Sequence, residues 1–181
     1  MNVLETRLAG LVLVAPDVHA DSRGFFVETY SRERYESIGV TGELVQDNHS
    51  RSTRGALRGL HFQRSPGQSK LIRAARGRIW DVVVDIRPSS STFGEYEAFE
   101  LDDARHLQLY VPIGFAHGFC VLSETADVTY KVGSYYDGAE ERGVAWDDPD
   151  LGIPWPVADP VLSQRDRENP RLSEIRDQLD R

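Results

Sequence analysis

Between Ile79 and Ile86 the chain alternates strictly: Trp80, Val82, Val84 and Ile86 share one face, and Asp81, Val83 and Asp85 the other. That two-residue period belongs to a β-strand and to no helix. Similar runs lie at Leu11 to Val14, Phe25 to Tyr30, Leu44 to Asn48, Ala56 to Gln63 and Lys70 to Ala75. Beyond Ile86 they continue at Tyr96 to Leu101, Leu107 to Val111, Phe119 to Leu122 and Val128 to Val132. Short strands separated by turn residues such as Asp21-Ser22-Arg23-Gly24 predict an all-β sandwich or barrel. Helical periodicity is confined to Arg32–Ile38, closed by Gly39, and to the stretch from Ser173 to Leu179. From Gly133 to Pro160 the chain is irregular and proline-rich, yet it carries Trp146 and Trp155, so it is expected to wrap the barrel.

The length of 181 residues suits one domain with a real core. No apolar run approaches the ~20 residues of a membrane span, and Met1 to Gly10 lack a signal-peptide pattern. A net charge of −8 argues against general nucleic-acid binding. A small anion is another matter, because Arg51, Arg54, Arg58, Arg64, Arg73, Arg76 and Arg78 fall in one short basic stretch. The single cysteine, Cys120, rules out a disulfide within the chain, which fits a reducing cytoplasm, and its apolar neighbours mark an inert buried thiol.

The chemistry concentrates around Arg58-Gly59-Leu60-His61-Phe62-Gln63. The turn at Pro66-Gly67 would fold this strand onto the one starting at Lys70, placing His61 and Lys70 nearly opposite each other in an antiparallel hairpin. An imidazole beside an ammonium packs poorly but suits proton transfer, since a nearby cation favours the neutral, basic ring. Neither a Rossmann nor a P-loop phosphate signature is present, and no Cys/His cluster has zinc spacing. The barrel-metal pattern also fails, because Gln63 stands where a second same-face histidine would be needed; no metal and no cofactor are expected. His117, between glycines and aromatics, reads either as a satisfied core residue or as a phosphate ligand. Tyr130, Tyr135 and Tyr136 read as barrel-filling aromatics, proton donors or a stacking platform. Asp166 reads either as a helix N-terminal acid after a Ser163 cap or as a carboxylate orienting a histidine.

Taken in order, these segments resemble the dTDP-4-dehydrorhamnose 3,5-epimerase family of cupin-type jelly-roll barrels. The resemblance runs through Asp21–Glu28, Gln46–Ser50, Gly55–Gln63, Lys70, Asp81–Arg87, Thr92–Gly94, Gly114–Phe119, Tyr130-Lys131, Tyr135-Tyr136, Trp146–Pro149 and Leu162-Ser163. It implies a metal-free epimerase that inverts C3 and C5 of dTDP-4-dehydro-6-deoxy-D-glucose to give dTDP-4-dehydro-β-L-rhamnose. His61 matches the family's base, Asp166 its paired carboxylate, Tyr130 the acid, and Lys70 the cation at the C4 oxygen. Arg23, Phe26, Glu28, Gln46, Asn48, Arg58, His117, Glu141 and Arg165 match ligand-contacting positions, and Tyr136 matches the ring that stacks on thymine. Glu140 is the neighbouring candidate for the place of Glu141, and Arg165 stands where the family usually has lysine.

The resemblance further implies a single domain over 1–181, a cytoplasmic enzyme and a homodimer. The N-terminal strands within about residues 1–50 would be exchanged, carrying Arg23 and Glu28 to the neighbouring subunit. Residues 133–181 would form wrapping loops and a short C-terminal helix. The alternatives are a single-position epimerase of another deoxysugar pathway, a non-catalytic sugar-nucleotide-binding cupin, and a metal-dependent cupin oxygenase. Strand parity puts Arg58 and His61 on opposite faces, so the shared site requires a bulge at Gly59 or an Arg58 that bends around the strand edge.

Overall fold

In the computed structural model, residues 1–179 are described; the last two residues of the predicted domain lie outside them. The N-terminal part supplies β1 (Asn2–Leu4), β2 (Val12–Ala15), β3 (Val18–Asp21), β4 (Gly24–Val27) and α1 (Arg32–Glu36). The middle of the chain is β5 (Gln46–Thr53), β6 (Leu57–Gln63), β7 (Lys70–Arg76), β8 (Arg78–Asp85) and β9 (Tyr96–Asp102). Then follow β10 (Gln108–Val111), β11 (Phe115–Val121), β12 (Thr125–Val132), β13 (Glu141–Gly143), α2 (Gln164–Glu168) and α3 (Leu172–Ile175). The ladders between these strands are antiparallel. They build a six-stranded sheet, β1-β2-β10-β7-β12-β5, and a five-stranded sheet, β13-β6-β11-β8-β9. The result is the expected cupin-type jelly roll, with β3 and β4 forming a separate two-stranded ribbon.

The alternation of β8 explains the layering. Ile79 and Val83 point into the core between the sheets, where they meet Ile72, Leu109, Phe119 and Val128. Trp80, Val82 and Val84 point the other way, into a second cluster with Val144, Leu151, Leu172 and Ile175. The irregular C-terminal chain thus covers the outer face of the five-stranded sheet. Its two tryptophans join there: Trp155 Nε1 donates to the Trp146 carbonyl at 2.7 Å, and the Trp155 ring meets Trp80 edge-on at 5.3 Å. On the opposite sheet, α1 is too short to be stable alone. It is held by Tyr35, which is fully buried against Val12, Val14 and Leu71 and whose hydroxyl accepts from Gln108 at 2.9 Å.

Two expectations about the central strands meet different outcomes. The hairpin between His61 and Lys70 does not form: β6 pairs with β11 and β13, whereas β7 pairs with β10 and β12 in the other sheet. From β5 to β13 the chain changes sheet at every connection except that from β8 to β9. Each strand carries a buried apolar face, Leu60 and Phe62 on β6 and Ile72 and Ala74 on β7, and each is stabilised by the layer facing it as well as by its ladder. His61 and Lys70 therefore approach across the sandwich, where Lys70 Nζ donates to the His61 carbonyl at 3.2 Å.

The bulge is present. In the β6–β11 ladder His117 faces His61 and Phe119 faces Arg58, so Gly59 and Leu60 of β6 oppose the single Gly118 of β11. Gly59 sits at this irregularity with φ +142°, and a Cβ there would come 2.5 Å from Gly118 Cα. Only glycine allows that approach, and the extra residue turns Arg58 and His61 into the same cavity.

The strand bounds also shift in detail. β4 ends at Val27 instead of Tyr30, β5 starts at Gln46 and runs on to Thr53, and β11 starts at Phe115, where only Phe119 to Leu122 were expected.

Candidate active site

A cavity of about 880 Å³ opens between the two sheets. Its walls bring together His61, Lys70, Tyr130 and Asp166. They also bring in Gln46, Asn48, Arg58, His117, Tyr136, Glu141 and Arg165.

His61 Nε2 lies 2.5 Å from Asp166 Oδ1. Asp166 fulfils both readings of its sequence position at once. Its backbone N–H donates to the Ser163 hydroxyl at 3.1 Å, the cap of α2, while its side chain turns to His61. Burial would raise the Asp166 pKa, but the hydrogen bond and charge of His61 outweigh it and hold the carboxyl below its usual range. The pair is thus a carboxylate-oriented imidazole.

Lys70 is only 9% exposed. Burial pushes its ammonium down to about 8, with Glu141 and Asp81 working against that shift. Tyr130, on β12, is shifted the other way: burial first, and the Glu141 charge second, raise its phenol above the usual range. At neutral pH it keeps its proton. One cavity therefore holds an oriented imidazole, a readily titrated cation and a protonated phenol.

The other groups form two sets. Arg58 Nε donates to Ser52 Oγ at 2.9 Å, and His117 Nε2 lies 2.9 Å from Asp81 Oδ2. Asp81 is completely buried, and its Oδ1 has no partner among the described residues. At the other set, Tyr136 donates its hydroxyl to Glu141 Oε2 at 2.9 Å, and Arg165 pairs with the same carboxylate. Gln46 accepts from the Tyr136 backbone N–H at 3.2 Å and donates to Asn48 at 2.9 Å. Between the adjacent acids the geometry chooses: Glu140 is paired with Arg64 at 3.0 Å, and Glu141 faces the cavity.

Arg23, Phe26 and Glu28 are not brought to this cavity. They lie on or just after the β3–β4 ribbon, where Arg23 pairs with Asp21 at 2.6 Å, Glu28 pairs with Arg34, and Phe26 is 70% exposed. Of the basic stretch, Arg51 and Arg58 reach the wall, Arg51 already paired with Asp127, while Arg64 pairs with Glu140. Sequence reasoning missed Ser50 and Ser52, which line the cavity in step with Gln46 and Asn48. Their two-residue spacing along β5 was the available signal. It also missed Asp81, whose signal was a carboxylate on the inward face of an apolar strand. Cys120 is buried, and burial pushes its thiol up to about 11, so it is no nucleophile.

Among the described residues no group of three or more His, Cys, Asp or Glu side chains could hold a metal ion, and no helix is long and apolar enough to cross a membrane.

Fold and site together define a cupin-type jelly roll with an acid–base cavity. The family model for dTDP-4-dehydrorhamnose 3,5-epimerase matches residues 5–174. The chain belongs to this family of isomerases. It is 46% identical over 168 residues to the dTDP-4-dehydrorhamnose 3,5-epimerase of Shigella flexneri, covering 92% of this chain and 93% of that one. It is also 42% identical over 179 residues to a dTDP-4-dehydrorhamnose 3-epimerase of Streptomyces niveus, covering 98% of this chain and 86% of that one. The crystal structure of a dTDP-6-deoxy-D-glucose-3,5-epimerase from Legionella pneumophila, in complex with dTDP-4-keto-L-rhamnose, superposes with a TM-score of 0.95 at 42% identity, covering 98% of this chain and 96% of that one.

Proposed function

We propose that the protein epimerises dTDP-4-dehydro-6-deoxy-D-glucose at C3 and C5, yielding dTDP-4-dehydro-β-L-rhamnose for dTDP-L-rhamnose biosynthesis. One observation carries the reading: the His61–Asp166 pair, Lys70 and Tyr130 converge in one cavity that also holds Arg58, Tyr136, Glu141 and Arg165. With its Nε2 proton directed at Asp166, the neutral His61 ring keeps Nδ1 as the base. It takes the proton from the carbon beside the C4 ketone, and the C–H electron pair moves into the enolate, whose oxygen Lys70 stabilises. Tyr130 then protonates the opposite face of that carbon, and the ketone re-forms. Arg58 supplies donors for the pyrophosphate, a planar guanidinium suiting its oxygens, and His117 lines the same wall. Gln46, Asn48, Glu141 and Arg165 surround the nucleoside, with Tyr136 stacked on thymine.

Run in heavy water, the reaction is expected to place deuterium at both C3 and C5 of the keto-sugar, read by NMR. The second reading, a single-position epimerase, is favoured by the 3-epimerase of Streptomyces niveus and by the 3'-monoepimerase of Streptomyces bikiniensis, which is 38% identical to this chain. Deuterium at only one carbon would establish it in place of the first.

The exposed ribbon supports a homodimer in which the N-terminal strands are exchanged. Arg23, Phe26 and Glu28 have no work in their own cavity and would complete the partner's. Co-refolding a His61→Ala chain with an Arg23→Ala chain then restores turnover, because the mixed dimer holds one intact site. Two inactive chains that stay inactive after mixing would rule the exchange out. We read the whole chain, 1–181, as one such domain, working in the cytoplasm, in keeping with its single buried thiol.

A further inference from the structure

The connection between β12 and β13 carries Tyr136, whose ring is 58% exposed and so is not fixed by packing. Its hydroxyl donates to Glu141 and its backbone N–H to Gln46, and the backbone on either side of it is held by Gln63, the last residue of β6 and only 7% exposed. Its Nε2 donates to Ser134 Oγ at 3.0 Å and to the Tyr135 carbonyl at 3.4 Å. Its Oε1 accepts from the Asp137 backbone N–H at 3.2 Å and from Gln68 Nε2 at 3.5 Å. A carboxamide offers two donors and two acceptor sites, so the full capacity of this side chain goes to one loop and its support. Ser134 and Gln68 close the network: Ser134 Oγ donates to the Gly67 carbonyl at 2.9 Å, and Gln68 Nε2 to the Ser134 carbonyl at 3.0 Å. The backbone is thus pinned immediately before and immediately after Tyr136. The pin sits two residues beyond His61 on the same strand, so the ring's position is referred to the strand that holds the base.

We propose that Gln63 is a positioning residue, which sets nucleotide affinity by holding residues 134–137 where the Tyr136 ring meets the nucleobase. The inference rests on the reading, given above, that this ring stacks on thymine. Gln63 touches neither sugar nor phosphate in this scheme. Its loss leaves the proton-transfer groups in place and forfeits preorganisation of the loop, which has to be ordered again at each binding event.

The test compares dTDP affinity, by calorimetry normalised to the binding-competent fraction, with the saturated rate of deuterium exchange into the keto-sugar. Gln63→Met, close in volume and without hydrogen-bonding groups, is expected to weaken dTDP about tenfold, the equivalent of about 1.4 kcal/mol. Its saturated exchange rate is expected to stay within about twofold, the limit we set on a kcat effect against a KM effect. Ser134→Ala, which removes one branch of the network, shifts affinity in the same direction by less. It also carries the test if Gln63→Met does not fold.

A merely structural role would lower the folded fraction and leave the affinity of the folded protein unchanged. That result, with Tyr136→Ala weakening dTDP as expected, overturns the inference and leaves the nucleotide reading standing. If Tyr136→Ala does not weaken dTDP, the stacking reading fails and the inference with it.

Discussion

His61→Ala is expected to lower the rate of keto-sugar epimerisation by about 10³-fold, within the range for loss of a positioned general base, while dTDP still binds. The base acts on the sugar, and the groups proposed for the nucleoside lie on other elements, Gln46 and Asn48 on β5, Glu141 on β13 and Arg165 on α2, with Arg58 alone sharing β6 with the base. Deuterium wash-in measures the first quantity and calorimetric titration with dTDP the second. The substitution also leaves Asp166, 4% exposed, without its partner, and removing one member of a buried pair is costly. A melting curve on the same sample therefore separates lost chemistry from lost fold. Wild-type exchange rates in a folded His61→Ala protein would sink the assignment of the base. An unmutated protein that binds dTDP and exchanges no deuterium would instead establish the non-catalytic sugar-nucleotide-binding reading.

Lys70→Met is expected to reduce turnover by about 10²-fold or more, since it removes the cation from a developing oxyanion, and at the same time to stabilise the fold. Burial pushes Lys70 from the usual lysine range down to about 8, a difference equivalent to about 3 kcal/mol. Methionine avoids that cost but leaves the His61 carbonyl without its donor, which returns about 1 kcal/mol. The net expectation near neutral pH is a gain of about 2 kcal/mol, read by denaturant titration.

The sign with pH follows from which state holds the proton. Below about 8 the lysine is charged in both the folded and unfolded chain, so the burial penalty is fully present. As pH rises through that value the folded protein releases its proton first, and the penalty fades until the unfolded lysine also titrates. The stability advantage of Lys70→Met should therefore shrink above about pH 8, while kcat/KM of the parent protein falls over the same window as its enolate-stabilising cation is lost. An advantage that holds constant to pH 10, or a parent kcat/KM flat from pH 7 to about 9.5, would refute the burial argument, since both limits lie above the shifted value and below the ordinary lysine pKa of about 10.4.

Much of this was legible one residue at a time. The alternation in β8 assigned Val82 and Val84 to one face and Val83 to the other before any neighbour was known. Ser163 followed by Asp166 signalled a capped helix start, and parity between Arg58 and His61 demanded an irregularity where Gly59 in fact provides one. The site candidates were legible through resemblance, and the four catalytic ones with seven of the ligand-contacting ones line one cavity. What failed was pairing. The Pro66-Gly67 turn resembled a hairpin turn because local residues report a reversal but not the sheet to which the returning strand goes.

Sequence by itself determined the all-β character and the two faces of β8, since periodicity is a property of neighbouring residues; the net charge of −8 argued against general nucleic-acid binding, and resemblance pointed to the site residues. Tertiary structure alone decided that His61 and Lys70 meet across two sheets, that Asp166 sits in the Ser163-capped first turn of a helix and turns its side chain to the histidine at once, and that Asp81 stands buried behind His117. Those outcomes depend on which layers cover one another, and that choice is made by burial of apolar faces between segments far apart in the chain. No local pattern carries that information.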